Sequence, residues 1–140
     1  MIEHTGVDGV MVARAALRAP WVLGRIARRL ETGEAGPSLR LSEKLRAVRR
    51  HLELILEHQD ERAALQCLRQ RIAWYGKSMG HVKPLKEAVR TATSAGTIAR
   101  VLDEWLTRAV EAGDPERMPR RPVRESPPPE PEAARLLAQP

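Results

Sequence analysis

The sequence predicts a mainly α fold: the last strand and helix of a (β/α)8 barrel, then a helical bundle, then a proline-rich tail without structure. Three observations predict it. Val10, Met11 and Val12 form the one stretch that reads as a strand, and apolar residues then recur at spacings of three and four as far as Ala109. Eight of the eleven prolines lie beyond Gly113, where periodicity stops.

The strand reading rests on its flanks as well as its residues. Gly6 and Gly9 bracket Val7 and Asp8 and supply an entry turn, and Val10 to Val12 show no polar alternation, as in a strand buried on both faces of a parallel sheet. Ala13, Ala15 and Ala16 are small enough to let main-chain N–H groups approach a ligand, and Arg14 adds a guanidinium that can clamp phosphate oxygens. In (β/α)8 barrels the loops after the last strands commonly bind phosphate, so an anion site is one reading of Ala13 and Arg14. An ordinary strand-to-helix junction with Arg14 in water is the other. A parallel strand needs neighbours, and no second strand is found, so the chain reads as a fragment. A barrel of roughly 200 to 250 residues would lie mostly before Met1, with Met1 to Thr5 as the end of a longer element.

The helices follow in order. Pro20 suits a first turn, Trp21, Leu23, Ile26, Ala27 and Leu30 make an apolar stripe, and Gly33 ends the helix. Glu34 to Arg40 is a linker, which gives domains of 1–33, 38–112 and 113–140. Ser42 is expected to cap a helix to His58 whose inner face is Leu45, Val48, Leu52 and Ile55. Asp60 caps the next, about Glu61 to Ser78, with Leu65, Leu68, Ile72 and Tyr75 inside and Gly76 and Gly80 near a left-handed end. From Lys83 a fourth helix turns Leu85, Ala88, Val89 and Ala92 inward. Ser94 caps the last, with Ile98, Val101, Leu102, Trp105, Leu106 and Ala109. Phe is absent, so Trp21, Trp74 and Trp105 are the expected large anchors.

The 140-residue chain carries a net charge of +6 and an isoelectric point near 10.4, which favours a polyanionic partner. Ser38 to Thr93 hold twelve Lys or Arg against six Asp or Glu, a surplus equal to the whole net charge. Lys83, Lys86 and Arg90 fall on one stripe at i, i+3 and i+7, a row able to track a phosphate backbone, and a solvated face fits the same spacing. No aromatic cluster for stacking bases stands out along the sequence. The single cysteine, Cys67, beside Leu68, reads as a buried inert thiol and allows no internal disulfide, so a cytoplasmic setting is expected. His4, His51, His58 and His81 show no zinc spacing and read as surface or cap residues. Asp103 and Glu104 are adjacent on a helix and point apart, so they are no acid–base pair. No apolar run reaches the roughly 18 to 20 residues of a membrane span.

Two stretches resemble one family. TGVDGVMVARAALRAPW is similar to the end of the barrel in tRNA-dihydrouridine synthases, where a Gly-Arg pair binds the FMN phosphate. RQRIAWYGKSMGHVKPLKEAVRTATS resembles the helical-domain signature of the bacterial B-type members, with its basic run, Ile-Ala-Trp-Tyr, glycine-containing loop and basic amphipathic helix. The matches come in the family's order, about fifty residues apart.

The resemblance implies a flavoprotein in which NADPH reduces FMN and hydride passes to a uridine of tRNA, giving 5,6-dihydrouridine; a monomer without a metal is expected. It puts the Gly-Arg pair on Ala13 and Arg14, where Ala13 departs from the family glycine and would strain the turn if that glycine has positive φ. It makes tRNA the partner of the helical domain, with Arg69, Arg71, Lys83, Lys86 and Arg90 as candidate contacts chosen by spacing and charge. The family's cysteine acid and the lysine and histidine around the flavin would all lie upstream of Met1, so no catalytic residue is expected here. A stand-alone basic helical module that binds RNA without chemistry is the alternative.

Overall fold

The computed structural model describes residues 6–119, so His4, the Met1 to Thr5 turn and the tail from 120 lie outside the described residues. Among the described residues six helices follow one another: α1 (Arg14–Arg18), α2 (Val22–Thr32), α3 (Leu41–His58), α4 (Glu61–Met79), α5 (Lys83–Thr91) and α6 (Ala95–Glu111).

The expected strand is not formed. Val10 and Met11 stand 42% and 93% exposed, and the described residues contain no strand. The physical reason is the one that made the strand conspicuous: an extended segment needs a neighbour for its N–H and C=O groups, and residues 6–119 offer none. The chain instead goes directly into α1, a single turn and a half, and α2, which ends at Gly33 in the left-handed conformation (φ 76°).

The core belongs to α3–α6. α3 packs on α4 and α6, and α5 lies against both α4 and α6. Their inner faces are those the periodicity gives: Leu45, Val48, Leu52 and Ile55 from α3, Leu68, Ile72 and Tyr75 from α4, Leu85 and Val89 from α5, and Ile98, Val101, Leu102, Trp105 and Ala109 from α6 are all buried. Asp60 and Ser94 cap as expected, accepting the main-chain N–H of Ala63 at 2.8 Å and of Thr97 at 3.1 Å. Trp74 is the exception among the large anchors: it is 40% exposed, because Leu68, Ile72 and Tyr75 turn the opposite side of α4 inward.

The expected cap of α3 is also different. Arg40 occupies the cap position, with its N–H donated to Glu43 Oε2 at 2.7 Å, and Ser42 lies one step inside the helix. Ser42 donates its main-chain N–H (2.8 Å) and its hydroxyl (2.6 Å) to the carboxylate of Asp114, while Leu41 N–H reaches the Pro115 carbonyl at 2.8 Å. Two of the donors that a helix start leaves unpaired are thus satisfied from beyond the end of α6.

Residues 114–118 are therefore placed, although the sequence assigns them to a tail without structure. The same strap serves the far end of α4, where the last carbonyls lack helical partners. Arg117 Nη2 donates to Lys77 O (3.1 Å), Lys44 Nζ to Ser78 O (3.1 Å) and Met118 N–H to Met79 O (2.8 Å). His81 N–H then donates to Met118 O at 3.1 Å, closing a parallel bridge between Gly80 and Met118. Gly80 has φ 87° with ψ −134°, so it is not the left-handed helical end expected of it. A Cβ there would also lie 2.5 Å from the Met118 carbonyl oxygen, so only glycine lets the strap approach.

The Asp114 carboxyl is held below its ordinary value of 3.8 because the Ser42 hydroxyl donates to it, with the Ser42 main-chain N–H, Arg40 and Arg46 adding to the effect. Its folded value is depressed, so its contribution is complete above the unfolded pKa and is lost as pH falls through the folded one. Asp114→Asn, which tolerates the φ of 49° at this position, is expected to destabilise by about 1 kcal/mol in urea unfolding at neutral pH. The wild-type and variant curves should converge in acid; a constant gap down to strongly acid pH would contradict the assignment.

Candidate nucleic-acid interface

α5 is amphipathic by construction. Pro84 sits in its first turn, where no N–H is needed, and Leu85 and Val89 are fully buried, which leaves Lys83, Lys86 and Arg90 on the outward side. Lys83 and Arg90 are exposed; Lys86 is half-buried because its aliphatic stem crosses α4 at Gly76. A Cβ on Gly76 would come within 2.8 Å of Lys86 Cδ, so the absent side chain brings the α5 row close to α4. Glu87 lies 3.6 Å from Arg90, an exposed pair that offsets little of the row's charge.

The other two candidate cations are differently employed. Arg69 Nη2 donates to the Ala92 carbonyl at 2.6 Å and so ties α4 to the end of α5. Arg71, two positions on, faces another way. It lies over the Trp74 ring at 5.8 Å and lines a groove with Trp21, His51 and Tyr75. The five candidates therefore do not form one patch. On α3, Arg49 pairs with Glu53 at 2.9 Å and Arg50 with Glu57 at 3.1 Å, so much of that helix's positive charge is matched locally.

The groove beside Arg71 encloses about 560 Å³, and α1 supplies Ala16 and Leu17 to its wall. Tyr75 Oη and His51 Nδ1 are hydrogen-bonded at 3.0 Å, and Trp21 leans on Tyr75 with 5.9 Å between ring centroids. Burial, then the Arg71 charge, pushes the His51 imidazole below its ordinary value of 6.5, and burial pushes the Tyr75 phenol up. Both rings are therefore neutral at neutral pH. His51 is thus half-buried and partnered where the sequence suggested a surface residue, and an aromatic cluster exists although none stood out along the chain. The missed signal is tertiary: Trp21 and Tyr75 belong to segments with no shared period.

Ala13 and Arg14 form the start of α1. Ala13 has φ −99°, so no left-handed strain attends the alanine, and its carbonyl accepts from Ala16 N–H at 3.1 Å. Both residues are exposed and outside the groove. Cys67 is half-buried against the core, and Asp103 and Glu104 diverge to Arg49 (3.5 Å) and Arg100 (2.8 Å). Among the described residues no three His, Cys, Asp or Glu side chains cluster to hold a metal ion, and no helix is long and apolar enough to cross a membrane.

The sequence model of the family described as dihydrouridine synthase (Dus) matches residues 1–111, most of the chain. The chain belongs to the dihydrouridine synthase family. It is 28% identical over 110 residues to the "Probable tRNA-dihydrouridine synthase" of Rickettsia conorii, covering 79% of this chain and 33% of that protein. It is 32% identical over 108 residues to "Probable tRNA-dihydrouridine synthase 1" of Synechocystis sp., covering 77% of this chain and 30% of that protein. The "tRNA-dihydrouridine synthase B" of Pseudomonas putida is 33% identical over 75 residues, covering 54% and 22% of the two chains. The chain thus spans about a third of the length of the first two relatives. Residues 1–111 of the family match take in α1 to α6, the α5 row and the groove, and stop short of the 114–118 strap.

For this family member the His51–Tyr75 pair makes a measurable prediction. The imidazole of His51 should titrate below 6.5 in an NMR pH series, and the stability tied to its neutral form should be full above the unfolded pKa and fall as pH drops through the folded one. Tyr75→Phe should destabilise by about 1 kcal/mol and move the His51 midpoint, whereas a wild-type midpoint at or above 6.5 would contradict the geometry.

Proposed function

We propose that this chain is the carboxy-terminal part of an FMN-dependent, NADPH-using tRNA-dihydrouridine synthase and that its helical domain holds the tRNA. Family membership supports the chemistry, and one observation carries the role of this part: the α5 row of Lys83, Lys86 and Arg90 opposite a fully buried Leu85 and Val89. A row fixed by a packed inner face can meet successive phosphates without ordering a flexible segment first. Arg69 and Arg71 would make separate contacts, Arg71 from beside Trp74 and Arg69 from its bond to Ala92.

FMN, when bound in the whole protein, would supply the hydride for reduction of the uracil ring. The residues of this chain do not by themselves fit that cofactor. Ala13 and Arg14 offer one guanidinium and a short helix start, both exposed. No hydride or proton step is therefore assigned to residues described here, and this piece alone is expected to be inactive. A stand-alone RNA-binding module without chemistry is the alternative, favoured by the fact that α3–α6 and the strap close a core of their own.

With Lys83, Lys86 and Arg90 all changed to Glu, tRNA affinity of the 140-residue chain should fall by at least about tenfold and the slope of log affinity against log salt should shrink by roughly three. Unchanged affinity and slope would remove the α5 row from the interface. The purified chain should be colourless and leave NADPH unoxidised; a stoichiometric yellow flavin with NADPH turnover would overturn its assignment as an inactive part.

A further inference from the structure

A second cavity, of about 380 Å³, opens where the start of α2, the linker, the first turn of α3, the end of α4 and the strap meet. Arg25, Ser38, Lys44, Ser78, Arg117 and one acidic residue, Glu116, line it together with Trp21, and neither Ala13 nor Arg14 does. Lys44 is only 5% exposed. Its ammonium donates to two neutral acceptors, Glu116 O at 2.7 Å and Ser78 O at 3.1 Å, which leaves one of its three N–H donors. Arg25 Nε is held by the Gly36 carbonyl at 3.2 Å and Arg117 Nη2 by the Lys77 carbonyl at 3.1 Å, each guanidinium again keeping further donors.

Main-chain carbonyls thus fix the positions of three cations without neutralising any of them. Among the described residues no carboxylate comes within ion-pair distance, 4.0 Å, of these three groups. Burial is the main reason the Lys44 ammonium falls below its ordinary 10.5; Arg117 and Arg25 push it further down, and Glu116 opposes them. Buried positive charges are ordinarily paired, and here three cations share a cavity with one carboxylate, Glu116, that pairs directly with none of them, so an incoming anion would meet a net positive site.

We propose that this cavity is an oxyanion site that takes a phosphate group, its oxygens meeting the Lys44 ammonium and the guanidiniums of Arg25 and Arg117. Ser38 and Trp21 on the lining give polar and apolar wall for a phosphate carrying a sugar. The phosphate could come from an RNA backbone or from a free phosphorylated small molecule, and only the RNA source rests on the function proposed above.

The test is calorimetric titration of the 140-residue chain with inorganic phosphate, against chloride at matched ionic strength. The wild type should bind one phosphate per chain, and the double variant R25Q/R117Q, whose changes leave the helical core untouched, should bind it at least about tenfold more weakly. K44M should lose binding as well. Because Lys44 and Arg117 both hold the strap, the single variant R25Q, which leaves the strap's bonds in place, should also weaken phosphate, and urea unfolding of every variant checks that the fold is kept. Phosphate binding no stronger than chloride, or equal in wild type and R25Q/R117Q, would overturn the proposal. If R25Q/R117Q also weakens tRNA and phosphate competes with tRNA, the group comes from the RNA backbone. If tRNA affinity is unchanged while phosphate binding is lost, the ligand is a small phosphorylated molecule. Failure of the α5 variant leaves this result standing, and the reverse holds too, because the two sets of residues do not overlap.

Discussion

The described structure depends on one short strap that finishes two helices at once. A helix start leaves N–H groups without partners and a helix end leaves carbonyls, and each such group costs free energy if it is buried unpaired. Here the start of α3 and the end of α4 are brought to the same place, and residues 114–118 run between them. Asp114 and Pro115 accept from the first turn of α3, and Met118 and Arg117 donate to the last turn of α4. Lys44 spans the gap, reaching from α3 to the Ser78 carbonyl on one side and the Glu116 carbonyl on the other. These bonds set where the two helix ends meet and so help to define the cavity lined by Lys44.

The positive charge of the chain is distributed unevenly because of the same packing. On α3 Arg49 and Arg50 find carboxylates along their own helix, whereas the α5 row lies on a helix of nine residues with one acidic side chain, Glu87. A uniform surplus in the sequence thus becomes local: a row on α5, a guanidinium over Trp74 and three cations around a cavity. Sequence charge alone could not separate these, because Lys44 and Lys86 look alike until burial distinguishes a strap anchor from a surface row.

What could be read from the sequence was what local spacing encodes. The inner faces of α3–α6, the caps at Asp60 and Ser94 and the stop at Gly33 depend on residues within a turn or two of each other. The exposed position of Trp74 was also available, since Leu68, Ile72 and Tyr75 leave it on the opposite side of α4. The Asp114–Ser42 contact was not, for it joins residues 72 positions apart and replaces a plausible serine cap with a carboxylate supplied from elsewhere. The strand expected at Val10 to Val12 is not formed among the described residues for the complementary reason: its residues suit a sheet, but a strand exists only with a neighbour to pair. At the candidate interface, the spacing of Lys83, Lys86 and Arg90 was visible, while the bond from Arg69 to Ala92 and the pairing of His51 with Tyr75 arise from tertiary packing.

The hydrogen bond between Leu41 N–H and the Pro115 carbonyl, 2.8 Å long, brings the beginning and the end of the bundle side by side. A unit whose entry and exit points touch is topologically a cassette: it can be carried as an insert on another body without either connection having to cross its surface. The chain's entry into the bundle at residue 41 and its exit at residue 115 therefore lie at one pole.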